Sequence, residues 1–273
     1  MTNQGTLPGA GGNGYGKLSS DPVRDLKIRD VLKTGDEIDL SPREIRELSN
    51  ELTVSQDQVR TWIQALNRKK GGVFYGPPGT GKTYAASKIA EKVTDNTSNE
   101  SDIVQFHQSY EYEDFMQGIR PVLDDDSDDL SYHLQKGKFY EFCKKAEKLS
   151  GPCILIVDEV NRADVSSVFG ELMYLLEYRD EEIHLAQDGE DSEKFSIPRN
   201  VYIIGTMNTA DRSIALVDFA LRRRFAFLPM YPNYEVLEEK FDAEDVDVDD
   251  LIDVLEEING EIGDRQYSLG YTY

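Results

Sequence analysis

The apolar run Gly72-Val73-Phe74-Tyr75 passes directly into Gly76-Pro77-Pro78-Gly79-Thr80-Gly81-Lys82-Thr83, and Tyr84-Ala85-Ala86-Ser87-Lys88-Ile89-Ala90 follows with helical composition. A short buried strand, a glycine-rich turn and a helix in that order constrain the chain more than any other feature. Gly76, Gly79 and Gly81 let the backbone curl round a phosphate with its N–H groups inward. The start of the helix adds partial positive charge at the same spot. Lys82 can reach β- and γ-phosphates, and the Thr83 hydroxyl can ligate Mg²⁺. Pro77, Pro78, Thr80 and Tyr84 complete the expected nucleotide-binding set. The alternative is a glycine-rich turn with no binding role. The complete order of strand, loop, Lys-Thr and helix argues against it and implies binding of a nucleoside triphosphate.

The 273 residues suffice for one large α/β domain with a small appendage. No apolar stretch approaches the ~18 residues that a membrane span needs, and Met1 to Ser20 lacks a signal-peptide pattern. With Cys143 and Cys153 reading as reduced core thiols, the expected location is cytoplasmic. The net charge of −22 is extreme. It reads either as an acidic surface for basic partners or as a solvated surface suited to high salt. Acidic residues spread over the whole chain favour the second reading, a halophilic host. The same charge argues against broad nonspecific duplex binding by this segment.

Four regions are expected: a disordered lead-in over 1–20, a helical segment over 21–70, a nucleotide-binding core over 71–232 and the truncated start of a helical lid over 233–273. Ser41-Pro42-Arg43-Glu44 and Ser55-Gln56-Asp57-Gln58 both read as helix caps, the second ahead of Val59, Trp62, Ile63 and Leu66 at helical spacing. Two capped helices could be a DNA-reading helix-turn-helix or a pair packed beside the nucleotide pocket. Beyond residue 71, apolar runs at 73–75, 103–106, 154–157, 201–204 and 225–228 alternate with helical stretches such as 137–149 and 165–178. Continuous hydrophobicity predicts strands buried on both faces, hence a three-layer, doubly wound parallel sheet of the α/β class. Residues 119–138 and 183–197, the latter with Asp188-Gly189 at its middle, read as inserted hairpins.

Ile154-Leu155-Ile156-Val157-Asp158-Glu159 sets two carboxylates at a strand's carboxyl end, where open α/β sheets bind ligands. Asp158 is expected to hold Mg²⁺ and Glu159 to polarise the attacking water. Asn208, again at a strand end, could reach between Glu159 and the γ-phosphate or simply form a turn. Arg222-Arg223-Arg224 before an apolar strand asks for anions, or makes salt bridges to nearby carboxylates. A base pocket is expected from residues around Leu66 to Gly72 together with the lid.

Phosphate loop, Asp-Glu, strand-end Asn and arginine cluster in this order resemble an AAA+ NTPase, and within that superfamily the McrB family, the NTP-driven motor subunits of modification-dependent DNA restriction. The resemblance spans roughly residues 60–273. It rests on Phe106-His107-Gln108-Ser109-Tyr110, Tyr112-Glu113-Asp114-Phe115, Gly118-Ile119-Arg120-Pro121 and Gly137-Lys138-Phe139. Asp158-Glu159-Val160-Asn161-Arg162-Ala163, Phe169-Gly170-Glu171, Met207-Asn208-Thr209-Ala210-Asp211-Arg212-Ser213 and Ala220-Leu221-Arg222-Arg223-Arg224-Phe225 complete it. It implies Asn208 as the sensor at the γ-phosphate, an arginine finger among Arg223 and Arg224 that acts on a neighbouring subunit, and Asn161, Arg162 and Asp211 lining the site. It also implies a hexameric ring, DNA engaged through other subunits or domains, and a separate McrC-like nuclease subunit, since no nuclease constellation is present. McrB proteins prefer GTP, whereas most AAA+ relatives use ATP, so either base is open. Tyr267 to Tyr273 resembles the early part of the family's lid, with the last lid helices expected beyond it. A MoxR-like ATPase that remodels protein complexes is the alternative, and a nucleotide-bound scaffold without hydrolysis is a third, opposed by Glu159.

Overall fold

In the computed structural model of the chain, the described residues are 35–95, 99–124, 127–187, 192–210, 219–234, 237 and 248–270. The lead-in over 1–20, residues 21–34 of the helical segment, Asp188-Gly189, Asp211, Arg212 and Ser213 lie outside them, as do parts of the region 233–273.

Helix α1 (Pro42–Glu51) starts at the expected box. Ser41 Oγ accepts the Glu44 N–H at 3.3 Å, and Glu44 Oε2 accepts the Ser41 N–H at 2.7 Å. Ser55 caps α2 (Gln56–Lys69) by accepting the Gln58 N–H at 3.2 Å. The apolar face of α2 lies against the sheet: Trp62 meets Phe74 edge-to-face at 5.0 Å, and Val59 and Leu66 are wholly buried. Its outer face carries Asp57, Gln58, Thr61, Gln64 and Arg68. The two helices are thus built as a pair that covers the sheet.

The remaining elements are β1 (Gly71–Gly76), α3 (Lys82–Thr94), β2 (Ser101–Gln105), α4 (Tyr112–Phe115), β3 (Gln117–Asp124), β4 (Ser127–Lys136), α5 (Lys138–Ala146), β5 (Cys153–Asp158), α6 (Val165–Phe169), α7 (Leu172–Glu177), β6 (Val201–Asn208), α8 (Phe219–Arg224), β7 (Ala226–Pro229) and α9 (Asp249–Ile262). Among the described residues, five strands form an all-parallel sheet in the order β2-β5-β6-β1-β7. Alternation along the strands splits the core in two. Val73, Leu155, Val157 and Ile203 face a layer with Phe106, Phe115, Phe139 and Phe169, while Phe74, Ile154, Ile156, Tyr202 and Ile204 face α1, α2 and α3. This is the doubly wound three-layer sandwich that the sequence predicts. Cys143 and Cys153 are free thiols buried in it, and burial pushes both thiols up, away from reactive thiolate.

Three expectations change. Strand β2 is not buried on both faces: its residues alternate, and Ile103 is 48% exposed, because among the described residues β2 sits at the sheet edge with a neighbouring strand on one side only. The helix expected over 165–178 is two short helices, broken at Gly170 (φ 46°). The break sets Glu171 Oε1 to accept both the Tyr112 hydroxyl at 2.6 Å and the Ala186 N–H at 2.9 Å. The first inserted hairpin is present as β3–β4, whereas 183–197 pairs only at the Ile183–Phe195 bridge among the described residues.

Candidate nucleotide site

The register of the sheet assembles the site. Strand β5 runs beside β6 with Val157 opposite Gly205, and β6 beside β1 with Asn208 opposite Gly76. The phosphate loop, the two acids and the strand-end asparagine therefore emerge at one edge, the carboxyl ends of the strands.

Within the loop, Gly79 and Gly81 both adopt φ 77°, a left-handed conformation that side chains oppose. Gly76 is hemmed in from outside by the Met230 carbonyl, which leaves no room for a Cβ. Thr80 is buried and its hydroxyl donates to the Pro77 carbonyl at 3.0 Å. The Lys82 ammonium donates to the Pro77 carbonyl at 2.5 Å and to Thr80 Oγ1 at 3.3 Å. Burial pushes its pKa down to about 8, with Glu159 and Asp158 pulling the other way. Pro78 lies on the outer side of the loop, and Tyr84 is exposed on α3, its ring 5.7 Å from the Lys88 ammonium.

Asp158 stands at the end of β5. Its Oδ1 accepts the Thr83 hydroxyl at 2.6 Å and the Thr206 hydroxyl at 2.7 Å, and its Oδ2 accepts the Gln105 amide at 3.3 Å. Glu159 takes φ 55°, rare for a residue with a side chain and costing ~1–3 kcal/mol. This turn swings its carboxylate out of line with the strand towards β6. There Oε1 accepts the Asn208 amide at 2.5 Å, while the Glu159 N–H donates to Thr206 Oγ1 at 3.0 Å. Arg162 Nε lies 3.5 Å from Glu159 Oε2, and the Asn161 amide donates to the Asn208 carbonyl at 3.4 Å. Thr83 and Asp158 offer two hard oxygens 2.6 Å apart beside the loop, a donor set suited to Mg²⁺, which keeps water and phosphate for its other positions. No larger cluster of metal-ligating side chains exists among the described residues.

Thr206 is the residue that reasoning on motifs passed over. The signal was available, since strand alternation puts it on the same face as Asn208. Within the stretch 66–72, Leu66 is wholly buried and Gly72 is packed against Leu66 and Leu228, whereas Arg68 is exposed. A cleft of about 710 Å³ opens between the α1–α2 turn (Ser49, Thr53, Val54, Gln58), Thr80 and the segment Met230–Asn233. Arg223 and Arg224 precede β7, whose Ala226 pairs with Gly72, so they sit at the end of the sheet away from the loop. Arg223 is exposed, and its carbonyl accepts from Lys69. Arg224 is mostly covered and forms an ion pair with Glu177 at 2.8 Å.

The model of the AAA domain, dynein-related subfamily, matches residues 72–225, which is more than half of the chain and holds the phosphate loop, Asp158, Glu159, Thr206, Asn208, Arg223 and Arg224. The chain belongs to the AAA domain family. This AAA domain is similar to the Escherichia coli (strain K12) Type IV methyl-directed restriction enzyme EcoKMcrB subunit, with 41% identity over 81% of this chain and 49% of that protein. It is also similar to the Bacillus subtilis (strain 168) Type II restriction enzyme BsuMI component YdiS, with 28% identity over 57% of this chain and 55% of that one. The chain thus spans about half the length of these relatives. A protein of Cytophaga hutchinsonii ATCC 33406, solved at 2.00 Å and described as a candidate ATPase, superposes with a TM-score of 0.48 at 14% identity, over 81% of this chain and 58% of that one.

Proposed function

We propose that this AAA domain binds and hydrolyses a nucleoside triphosphate and works as an McrB-like motor in a DNA restriction system. The observation that carries the reading is the setting of Glu159: its carboxylate is held by Asn208 beside an Asp158–Thr83 pair at the mouth of a phosphate loop. Lys82 would meet the β- and γ-phosphates. Thr83 and Asp158 would hold Mg²⁺, which supplies charge neutralisation on the phosphates when bound. Glu159 takes a proton from, or polarises, the attacking water, and Asn208 orients that carboxylate. Similarity to two restriction components supports the restriction reading over a MoxR-like one.

The cleft beside Thr80 is the subsite for the base. Its amide and hydroxyl groups, among them Asn50, Gln58 and Asn233, can pair with either purine, and ATP is taken as the substrate in this reading because most AAA+ relatives use it. The resemblance further supports a ring, hexameric by analogy, in which Arg223 or Arg224 completes a neighbour's site. A separate McrC-like nuclease subunit would cut, and DNA would be held through other subunits or domains. Among the described residues no helix is long and apolar enough to cross a membrane. Turnover of ATP and GTP with Mg²⁺, each competed by the other, tests the reading. Turnover of ATP supports it, a strong GTP preference overturns the base assignment, and no turnover of either in assembled protein overturns the reading.

A further inference from the structure

Helix α9 ends at Gly263 (φ 66°), and the chain turns back so that residues 266–270 lie against the nucleotide site. Gly270 is packed directly on the phosphate loop. A Cβ there would stand 2.5 Å from the carbonyl carbon and oxygen of Gly79 and 2.6 Å from the Pro78 carbonyl oxygen. The loop is therefore met at its carbonyl groups, not at the N–H groups that a phosphate would use. Thr209 makes a second connection. Its hydroxyl donates to the Gln266 carbonyl at 2.6 Å, while its N–H donates to the Gly76 carbonyl at 2.9 Å. One buried threonine, next in sequence to Asn208, thus holds both the first residue of the loop and the returning strap. On the other side, Asn259 of α9 grips Leu269 at two points: its amide donates to the Leu269 carbonyl at 3.0 Å and its carbonyl oxygen accepts the Leu269 N–H at 2.6 Å. The Tyr234 hydroxyl donates to the same carbonyl at 3.0 Å, and Ser268 is buried within the strap.

From this packing we infer that the strap Gln266–Gly270 is a positioning element of the nucleotide site: Gly270 sets the shape of the phosphate loop from outside, and Thr209 links the sensor Asn208 to the strap, which Asn259 in turn holds to helix α9. The inference rests on the nucleotide reading above. Its chemistry is backbone against backbone, so only glycine fits at 270. A side chain there must move the Pro78–Gly79 carbonyls by about 1 Å to reach ordinary contact, and misplacements of that size cost ~10²-fold at a preorganised site. The Thr209 bond, by contrast, leaves the loop in place and bears on Asn208, so its loss should show in turnover rather than in binding.

The test uses the full chain with mant-ATP and mant-GTP in Mg²⁺, turnover of the unlabelled nucleotides, and thermal melting of the nucleotide-free protein. Gly270→Ala should raise Kd at least about tenfold, while the melting temperature stays within about 2 °C of wild type. Thr209→Val should lower kcat with Kd nearly unchanged, and Thr209→Ser, which keeps the hydroxyl, should restore kcat. Wild-type affinity in a folded Gly270→Ala overturns the inference. Where Gly270→Ala does not fold, the Thr209 pair decides, and a serine variant as impaired as the valine variant overturns it. Wild-type protein that binds neither nucleotide overturns the functional reading and this inference with it.

Discussion

Replacing Thr206 with valine removes one hydroxyl and keeps the shape of the side chain. Thr206 is 2% exposed, and its hydroxyl donates to Asp158 Oδ1 and accepts the Glu159 N–H. A hydrogen bond to a charged group contributes about 1.5–3 kcal/mol, and an N–H left unpaired in the interior costs about 1–3 kcal/mol. Asp158 keeps two other donors, Thr83 and Gln105, which offsets part of the loss. The expected cost of Thr206→Val is therefore ~2–4 kcal/mol. Thr206→Ser keeps the hydroxyl and loses one buried methyl, about 1 kcal/mol. Valine should be the worse replacement although it is the more apolar, an order opposite to that set by burial alone. Urea unfolding of the nucleotide-free variants measures the difference, at unchanged m-value. Turnover should fall ~10–100-fold in the valine variant, because the backbone bond that orients Glu159 is gone. If Thr206→Val is as stable as Thr206→Ser and turns over normally, the hydroxyl does not organise the two acids.

Lys82 carries a pH signature. Its pKa in the folded protein, about 8, lies below that of the unfolded chain. Between about 8 and the ordinary lysine value the unfolded state therefore binds more protons, and stability rises with pH across that window. Urea unfolding should show the rise in wild type and not in Lys82→Met. A bound triphosphate holds the lysine charged, so affinity should be level below about pH 8 and fall by up to ~tenfold per unit above it, with proton uptake seen by calorimetry in two buffers. Arg223→Ala should keep nucleotide binding but abolish the rise of specific turnover with protein concentration. Mixing it with Glu159→Gln should restore part of the activity, and mixed rings as inactive as their parts would show that the arginine acts within its own subunit. Arg224→Ala should in addition lower stability slightly, through the packing its mostly covered side chain loses more than through the ion pair to the exposed Glu177. With a net charge of −22, unfolding free energy should increase from low to molar salt, and a protein most stable at low salt contradicts the reading of a salt-adapted surface.

The phosphate loop was legible because it is local, an apolar run into glycines and Lys-Thr fixing strand, turn and helix within a few residues, and the sheet class was legible from continuous apolar runs that recur between helical stretches. The pairing of Glu159 with Asn208 could be guessed only as two strand ends, since the β5–β6 register that joins them is a tertiary fact. The left-handed turn at Glu159 leaves no mark in composition. Gly170 could have signalled the broken helix, yet helical spacing on both sides of it masked the stop. Ile103 misled for the opposite reason: an apolar residue on an edge strand reads like one in the middle of a sheet. The cleft beside Thr80 left no trace in the sequence because its walls, Ser49 to Gln58 and Met230 to Asn233, come from distant segments that only the packing of α1 and α2 on the sheet brings together. The Asn233 amide, which donates to the Thr53 carbonyl at 2.9 Å, is one bond of that closure.

The central claim is a division of labour between Lys82, which binds phosphate, and Glu159, which acts on water. Equilibrium binding of a fluorescent nucleotide and turnover, measured together on Lys82→Ala and Glu159→Gln, test it most directly. Lys82→Ala should lose affinity. Glu159→Gln should bind as wild type does while turnover collapses, because its amide keeps the shape and the contact to Asn208 but cannot take a proton. Equal loss of binding in both variants, or normal turnover in Glu159→Gln, would contradict the account.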